Sequence, residues 1–277
     1  MITKIISYLL IFLFLPLNVS TYGIDLIGSG KREEEIKINI AGIGAIFRSQ
    51  GITTDGESLY FSSKTTLIKT DMNGLITEKA NLSAISKELR ENYGIKHIGG
   101  ISYYNGKLYC GMEDSKKWQS PAIGVFDAQS LEMTDYYIID STLVTRGMPW
   151  VAVDGSTGLL WCMDHSKSPT KLLAFDTGND MALIEETPLL GECGKVQGGE
   201  FLDGSLFVAS NGDEGAIMKI DVLNGDVQKL YDRSLLGGEG EGMTIINRDG
   251  ESKILALDLG TIFVNSFLRE YSLEQTK

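Results

Sequence analysis

Residues 196–211 read VQGGEFLDGSLFVASN, and residues 216–226 read AIMKIDVLNGD. Three short apolar runs in this stretch are separated by Asp203-Gly204 and by a polar cluster at 211–215, and the last run ends shortly before Asn224-Gly225. Asp-Gly and Asn-Gly pairs favour tight turns between strands. The stretch therefore predicts three short consecutive strands.

The same unit occurs five times along the chain. The copies begin at Gly51, Gly100, Val151, Gly199 and Gly242, at intervals of 49, 51, 48 and 43 residues. Repeats of about 40–50 residues that contain several strands are typical of the blades of a β-propeller. We therefore predict an all-β fold, a five-bladed β-propeller, with six blades as the alternative.

A strand from the N-terminal side is predicted to close this ring. The first four copies are each followed by a candidate fourth strand, at 75–78, 136–139, 181–184 and 227–230, whereas the fifth copy is not. Residues 35–41, EIKINIA, alternate polar and apolar side chains as an outer strand does. Placed at the edge of the last blade, they leave no blade incomplete. The one predicted helix runs over 82–93, with Asn81 or Ser83 as its N-cap.

Composition narrows the partners that the protein can bind. The 277 residues carry a formal net charge of −12 and contain no cluster of Lys and Arg, which argues against nucleic acid or an anionic membrane surface as partner. A cation, or a cationic or neutral small molecule or other extracellular ligand, suits this charge better. The 32 glycines and 5 prolines agree with a single domain rich in tight turns.

The first 23 residues resemble a secretory signal peptide. Lys4 precedes an apolar run over 5–17 that is short for a membrane span, and small residues at 20–23 offer a cleavage region. We predict a signal peptide at 1–23, a single propeller domain at 24–277 and a secreted or extracytoplasmic protein that leaves the membrane after cleavage; an uncleaved anchor is the alternative. Of the three cysteines, Cys110 and Cys162 are expected to be buried thiols, and a disulfide of Cys193 remains open.

Two sets of positions should converge at one end of the ring, which we call the mouth. In a propeller blade the first strand starts at the end where the second strand finishes. The starts of first strands hold Arg48, Gln50, His97, Pro149, Trp150, Gln197, Glu239 and Glu241, and the ends of second strands hold Ser63, Glu113, Asp114, Asp164, His165, Asn211, Asp213 and Asp258. Both histidines of the chain belong to these sets. A solvated polar rim is the alternative interpretation.

Carboxylates and amides in these sets suggest a cation site. Hard cations take several oxygen ligands, and blades around an axis can each supply one. The candidate Ca²⁺ ligands are Glu113, Asp164, Asn211, Glu241 and Asp258, with Glu200 in reserve. His97 or His165 could act as general acid or base beside the metal, and Gln50, Trp150 and Gln197 could contact a ligand. Trp150 could equally fill the space between two blades.

Recurrent aspartates elsewhere have a structural explanation. Asp71, Asp127, Asp176 and Asp221 each end a third strand just before a turn. Aspartate side chains at such positions accept hydrogen bonds from their own turn. We therefore predict a structural role for all four, at the end of the ring away from the mouth.

Several short motifs resemble those of exported β-propeller proteins, over about residues 45–272. They are QGITTDG at 50–56, HIGGI at 97–101, PWVAVD at 149–154, VQGG at 196–199 and EGEGM at 239–243. More loosely, the chain is similar to calcium-binding propellers, which include lactonases of the gluconolactonase and paraoxonase type and olfactomedin domains. ILALD at 254–258 is similar to the strand that delivers a metal carboxylate in olfactomedin domains. The resemblance implies a cation in the central channel.

Two functions follow as hypotheses. The first is a secreted recognition or ligand-binding propeller with a cation site in its acidic mouth. The second is a metal-assisted hydrolase of a lactone or phosphoester. No Gly-x-Ser-x-Gly elbow, phosphate-binding glycine loop or His-Glu-x-x-His motif occurs in the chain, so other common catalytic templates are not indicated.

Overall fold

A computed structural model describes residues 34–114, 117–212, 215–233, 238–260 and 265–273, and only the backbone of 34–38 and of residue 43. The predicted signal peptide at 1–23 and the candidate Asp213 lie outside the described residues. Within the described ranges, no helix is long and apolar enough to cross a membrane.

Five four-stranded antiparallel sheets form the blades of a β-propeller, which confirms the predicted fold and blade number. Blade 1 contains β2 (Ile52–Thr54), β3 (Leu59–Ser63), β4 (Thr66–Thr70) and β5 (Thr77–Asn81). Blade 2 contains β6 (His97–Tyr104), β7 (Lys107–Glu113), β8 (Ala122–Asp127) and β9 (Met133–Ile138). Blade 3 contains β10 (Ala152–Val153), β11 (Leu159–Met163), β12 (Lys171–Asp176) and β13 (Ala182–Pro188). Blade 4 contains β14 (Val196–Leu202), β15 (Ser205–Ser210), β16 (Ala216–Ile220) and β17 (Val227–Asp232).

Blade 5 is closed by the N-terminal strand, as predicted. Its strands are β18 (Glu239–Arg248), β19 (Glu251–Leu259), β20 (Asn265–Ser272) and β1 (Glu34–Ala41), in the order β1-β20-β19-β18. β1 pairs antiparallel with β20 from Glu34 opposite Tyr271 to Ala41 opposite Asn265. The ring is therefore held shut by backbone hydrogen bonds between distant parts of the chain.

The helical prediction was wrong at its start. The helix α2 spans Lys87–Asn92, and Ser86, not Asn81 or Ser83, is its N-cap and accepts a hydrogen bond from the Leu89 N–H. The segment before it is turn and loop, in which the Ala84 N–H donates to the Thr65 carbonyl of blade 1. A short helix that was not predicted, α1, spans Ile43–Ile46.

Turn chemistry agrees with the sequence pattern. Asp203 and Gly204 both have positive φ, at 48° and 74°, which is the geometry of a tight two-residue hairpin turn. The four recurrent aspartates accept backbone hydrogen bonds from residues just beyond them, as in the 2.9 Å bonds from Leu75 and Ile76 to Asp71. Equivalent bonds occur at Asp127, Asp176 and Asp221, so the structural role predicted for all four is confirmed.

Apolar side chains are buried between neighbouring blades. In the described residues they form five clusters, one for each pair of adjacent blades. Cys110, Cys162 and Cys193 are buried in these layers as free thiols, so no disulfide of Cys193 is present.

Glycines let the innermost strands approach one another around the axis. A Cβ atom on Gly51 would lie 2.8 Å from the Gly100 Cα, and one on Gly198 would lie 2.6 Å from the Gly242 Cα. Real Cβ atoms essentially never approach other atoms this closely. The repeated glycines at the blade starts therefore set the width of the ring at the mouth.

One carboxyl group also ties inner strands of several blades together. Oε2 of Glu200 on β14 accepts hydrogen bonds of 3.2 Å from the hydroxyls of Thr53 on β2 and Thr244 on β18. The Thr53 hydroxyl in turn accepts a 3.0 Å bond from the Tyr103 N–H on β6. Burial raises the pKa of Glu200 to about 7.

Candidate functional site

The pairing of the first two strands in each blade builds the mouth. In blade 2, His97 at the start of β6 lies directly opposite Glu113 at the end of β7. In blade 5, Gly240 near the start of β18 lies opposite Asp258 near the end of β19. This antiparallel register is why residues far apart in sequence meet at one end of the ring.

Four predicted residues form a connected cluster, here called the mouth group: Gln50, His97, Glu113 and Glu241. Nε2 of His97 lies 2.5 Å from Oε1 of Gln50, and the amide nitrogen of Gln50 lies 3.4 Å from Oε1 of Glu241. Nδ1 of His97 lies 3.6 Å from Oε1 of Glu113. The group thus joins the entry to blade 1 with blades 2 and 5.

Two polar atoms of the mouth group are buried without a hydrogen-bond partner among the described residues. They are Nδ1 of His97 and Oε2 of Glu113. The separation of 3.6 Å between the imidazole and the carboxyl group is too long for a good hydrogen bond. Buried polar atoms in folded proteins are usually hydrogen-bonded, so two such atoms without partners in one cluster are unusual.

Burial brings the mouth group close to neutrality at pH 7. It lowers the pKa of His97 to about 4, an effect that the nearby charges of Lys64 and His165 strengthen. Burial also raises the pKa of Glu113 to about 7, helped by the negative charge of Asp114 and opposed by the Met148 N–H. Burial is again the main reason that the pKa of Glu241 lies well above its ordinary value.

The loop before blade 3 contributes backbone beside Glu113, and the β7–β8 loop of blade 2 contributes an aromatic ring. A Cβ atom on Gly147 would lie 2.2 Å from Oε2 of Glu113 and 2.6 Å from Cδ1 of Trp118, so the Gly147 backbone lies against both side chains. The guanidinium carbon of Arg146 lies 5.5 Å from the centroid of the Trp118 ring. Trp118 and Arg146 therefore border the mouth group.

The other predicted residues of blades 3 and 4 make separate contacts. Oδ2 of Asp164 accepts a 2.8 Å bond from the Arg146 N–H and a 3.2 Å bond from the Thr145 hydroxyl. Nδ1 of His165 lies 3.4 Å from the Val196 carbonyl oxygen, and burial lowers the pKa of His165. Gln197 is half-buried at the start of β14.

On the blade 5 side, Asp258 is neutralised by arginine. Its Oδ1 pairs with Nη2 of Arg233, and its Oδ2 lies 2.8 Å from Nε of Arg269. Arg233 is fully buried and also donates a 3.1 Å bond to the Leu257 carbonyl. The amide nitrogen of Asn211 donates a 2.6 Å bond to the Gly240 carbonyl. These contacts tie blade 4 to blade 5.

Two of the predicted calcium ligands have other partners among the described residues. No group of three or more His, Cys, Asp and Glu side chains among them is arranged to hold a metal ion. The carboxylate of Asp258 faces two guanidinium groups, and Asp164 accepts hydrogen bonds from the loop before blade 3. The calcium site stays a prediction, to be tested by experiment.

Trp150 fills the space between blades and does not line the mouth. The side chain is fully buried in the cluster between blades 3 and 4, where it packs with Ala152 and Val208. Of the two interpretations of Trp150, the interblade plug is the one with structural support.

Sequence reasoning missed Trp118, Arg146, Arg233 and Arg269. Arg146 and Arg233 precede the first strands of blades 3 and 5, and Trp118 follows the second strand of blade 2, so the rule that located the mouth also covers them. Guanidinium and indole side chains are not ligands for a cation, so a cation site predicted at the mouth does not include them. Arg269 lies within β20, where nothing in the sequence pattern indicates a buried charge.

The protein is thus a five-bladed β-propeller with the polar mouth group at one end of its ring. No protein-family model matches the sequence, and the comparison with curated proteins found no significant match. Among solved structures, the chain is similar to an exo-β-1,3-galactanase from Clostridium thermocellum, with a TM-score of 0.58 and 10% identity over 86% of this chain and 62% of that one. It is also similar to a protein of unknown function from Bacteroides thetaiotaomicron, with a TM-score of 0.50 and 12% identity over 87% and 64% of the two chains. The chain thus spans less than two thirds of either structure, and at these identities the likeness shows the fold alone.

Proposed function

We propose that the protein is a ligand-binding propeller that holds a neutral, hydroxyl-rich ligand, an oligosaccharide, against the mouth group. The observation that carries this proposal is the pair of buried polar atoms without hydrogen-bond partners, Nδ1 of His97 and Oε2 of Glu113, at the same end of the ring. A bound hydroxyl group supplies what both atoms lack, because a hydroxyl can donate and accept.

The charge state of the mouth group favours a neutral ligand. With a pKa of about 4, His97 is an uncharged imidazole at pH 7, and with a pKa of about 7, Glu113 is about half protonated. Such groups, together with the Gln50 amide, offer both donors and acceptors without a strong charge. The net charge of −12 further disfavours an anionic ligand.

Trp118 supports the same ligand class. Its indole ring is half-buried and borders the Glu113 carboxyl across Gly147. Aromatic side chains at binding sites combine a large apolar face with a polar N–H, which suits the mixed surface of a sugar ring. Secretion, which remains a prediction from the N-terminal residues, would place the protein where extracellular glycans occur.

Binding is tested by isothermal titration calorimetry with a panel of neutral trisaccharides. β-1,3-galactotriose is the first probe, because the structurally similar galactanase is named for such linkages. We expect saturable binding that Glu113→Ala weakens about tenfold or more, the loss expected for a buried hydrogen-bonding group. The matched control is Glu57→Ala, an exposed glutamate between β2 and β3. Absence of binding across the panel, or equal affinity of Glu113→Ala and wild type, would contradict the proposal.

Hydrolysis is the second candidate function, and one observation favours it. A carboxyl group with a pKa of about 7, as at Glu113, is suited to general acid–base work at neutral pH. His97 and His165 are the predicted acid–base partners, and metal-assisted hydrolysis of a lactone or phosphoester stays the form predicted from sequence. Product analysis after incubation with the trisaccharides and with a lactone and a phosphoester distinguishes a hydrolase from a binding protein, because only a hydrolase shows turnover that Glu113→Ala or His97→Asn abolishes.

A further inference from the structure

A cavity of about 300 Å³ lies between blades 2 and 3, at the end of the ring opposite the mouth. It includes Lys107, at the start of β7, whereas β7 ends at the mouth with Glu113. Its blade 3 wall comes from Thr177 and Met181, around the turn that joins β12 to β13. The volume is at the lower end of the range for small-molecule sites, about 300–1,000 Å³.

Part of the lining of this cavity is apolar. Tyr109, Val125 and Met181 are buried and belong to the cluster between blades 2 and 3, and Tyr137 is packed against the same cluster. Two tyrosine rings and a methionine side chain offer a surface for an aliphatic or aromatic group. Burial of such a group there is favourable by roughly 25 cal/mol for each Å² removed from water.

The rim carries opposite charges that do not neutralise each other. Lys107 and Asp127 are directly opposite in the pairing of β7 with β8, yet they form no ion pair. Asp127 is instead hydrogen-bonded to its own turn: its Oδ1 accepts bonds of 2.7 Å from the Ser130 N–H and 3.2 Å from the Gln129 N–H. The ammonium group of Lys107 and the carboxylate of Asp127 therefore both remain available to a ligand.

A second carboxylate is fixed at the same rim. Oδ1 of Asp135 accepts a 2.8 Å bond from the Tyr136 N–H, and its Oδ2 accepts a 3.3 Å bond from the Tyr137 hydroxyl. The lining of the cavity thus carries two carboxylates and one ammonium group, which complement a molecule that carries both signs of charge. A simple anion or a simple cation would leave one of the two charges unmatched.

We propose that this cavity binds a free α-amino acid with an apolar side chain. The ligand's carboxylate pairs with Lys107, its ammonium group pairs with Asp127 and Asp135, and its side chain packs on Tyr109, Tyr137 and Met181. Charge-assisted hydrogen bonds of this kind are the strong ones in proteins. The site is separate from the mouth group, so its test does not depend on the function proposed for the mouth.

Calorimetric titration with L-leucine, N-acetyl-L-leucine and L-leucinamide tests the proposal. N-acetylation removes the ammonium charge and amidation removes the carboxylate, so each change should weaken binding about tenfold or more if both charges are recognised. The overturning results are no saturable binding of leucine, methionine or phenylalanine up to roughly 10 mM, or equal binding of the three leucine compounds.

Substitutions at the rim test whether leucine binds in this cavity. Lys107→Gln and Asp135→Asn change exposed residues and should each weaken leucine binding about tenfold. The matched control Lys79→Gln, on the outermost strand of blade 1, should bind as wild type does. An independent readout is the methyl resonance of Met181 in wild-type protein labelled at methionine methyl groups, which should shift on addition of leucine. Leucine binding that leaves this resonance unchanged, or that survives both rim variants, overturns the assignment.

Discussion

Glu200 illustrates how a single residue links folding of the ring to pH. Its carboxyl group accepts hydrogen bonds from threonines of blades 1 and 5 while its own strand belongs to blade 4. Burial raises its pKa to about 7, well above the ordinary value of 4.5. Between these two values the unfolded chain loses a proton that the folded protein keeps, so the stability contributed by the protonated group falls as pH rises.

The Glu200→Gln variant should therefore be more stable than wild type at pH 8 and nearly equal to it at pH 4.5. A difference in pKa of about 2.5 corresponds to roughly 3 kcal/mol of unfolding free energy. Urea unfolding at both pH values measures this difference in unfolding free energy, with Glu57→Gln as the exposed control. If the unfolding free energy of Glu200→Gln and of wild type depends on pH in the same way, ionisation of Glu200 does not destabilise the folded protein.

Some residues of the mouth could be placed from sequence because strand direction alone locates them. His97 and Glu113 meet since one begins a first strand and the other ends the next strand. The pairing of Asp258 with Arg233 and Arg269 could not be predicted in this way. It depends on the spacing between blades and on the burial of charges, which no local pattern records.

At the scale of the strand, Asp258 on β19 is a contact between blades and also a predicted calcium ligand. Removing one member of a buried ion pair costs about 3–5 kcal/mol, because the partners are left without compensation. We expect Asp258→Asn to lower the unfolding free energy by an amount in this range. Asp249→Asn, in the exposed β18–β19 turn, is the matched control.

Thermal unfolding, which measures the effect of Asp258→Asn, also tests whether the protein binds Ca²⁺. Since Arg233 and Arg269 already neutralise Asp258, we expect the melting temperature of wild type to be the same in EDTA and in excess Ca²⁺. A rise in melting temperature with Ca²⁺ that disappears in Asp164→Ala and Glu241→Ala would instead establish the cation site predicted from sequence.

The inner strands depend on glycine where backbones nearly touch. A Cβ atom on Gly99 would lie 2.0 Å from the Pro149 carbonyl oxygen, whereas one on Gly155 would meet nothing within 4 Å. Gly99→Ala should therefore destabilise the protein by roughly 1–3 kcal/mol or more through overpacking, and Gly155→Ala should change stability by less than about 0.5 kcal/mol. Thermal unfolding of the two variants checks this, and equal melting temperatures would contradict it.

The sequence predicted the positions of the strands better than the position of the helix. Strands were predicted because turn pairs such as Asp203-Gly204 mark their ends, and those turns form as expected. The helix near residue 85 was placed too early, because Asn81 and Ser83 match an N-cap pattern while Ser86 makes the actual capping bond. The cavity opposite the mouth was not predicted, since it depends on the separation of two sheets.

At the scale of the whole molecule, closure of the ring rests on β1. Only this strand covers the outer edge of blade 5, where it pairs along the length of β20 within the described residues. An uncovered β20 would offer unpaired N–H and C=O groups to other molecules. We therefore expect residues 34–41 to stabilise the folded chain and to protect it from edge-to-edge association.

Comparison of two truncated chains tests closure directly. A chain of residues 42–277 should melt at a lower temperature than one of residues 34–277 and should associate at high concentration, because it lacks β1 and exposes the β20 edge. Thermal unfolding and light scattering measure both effects. A synthetic peptide of residues 34–41 should raise the melting temperature of the shorter chain by strand addition. The same peptide with Ile38→Pro should act less well, because proline lacks the N–H that a paired strand donates. If the two chains melt at the same temperature, the ring does not depend on β1.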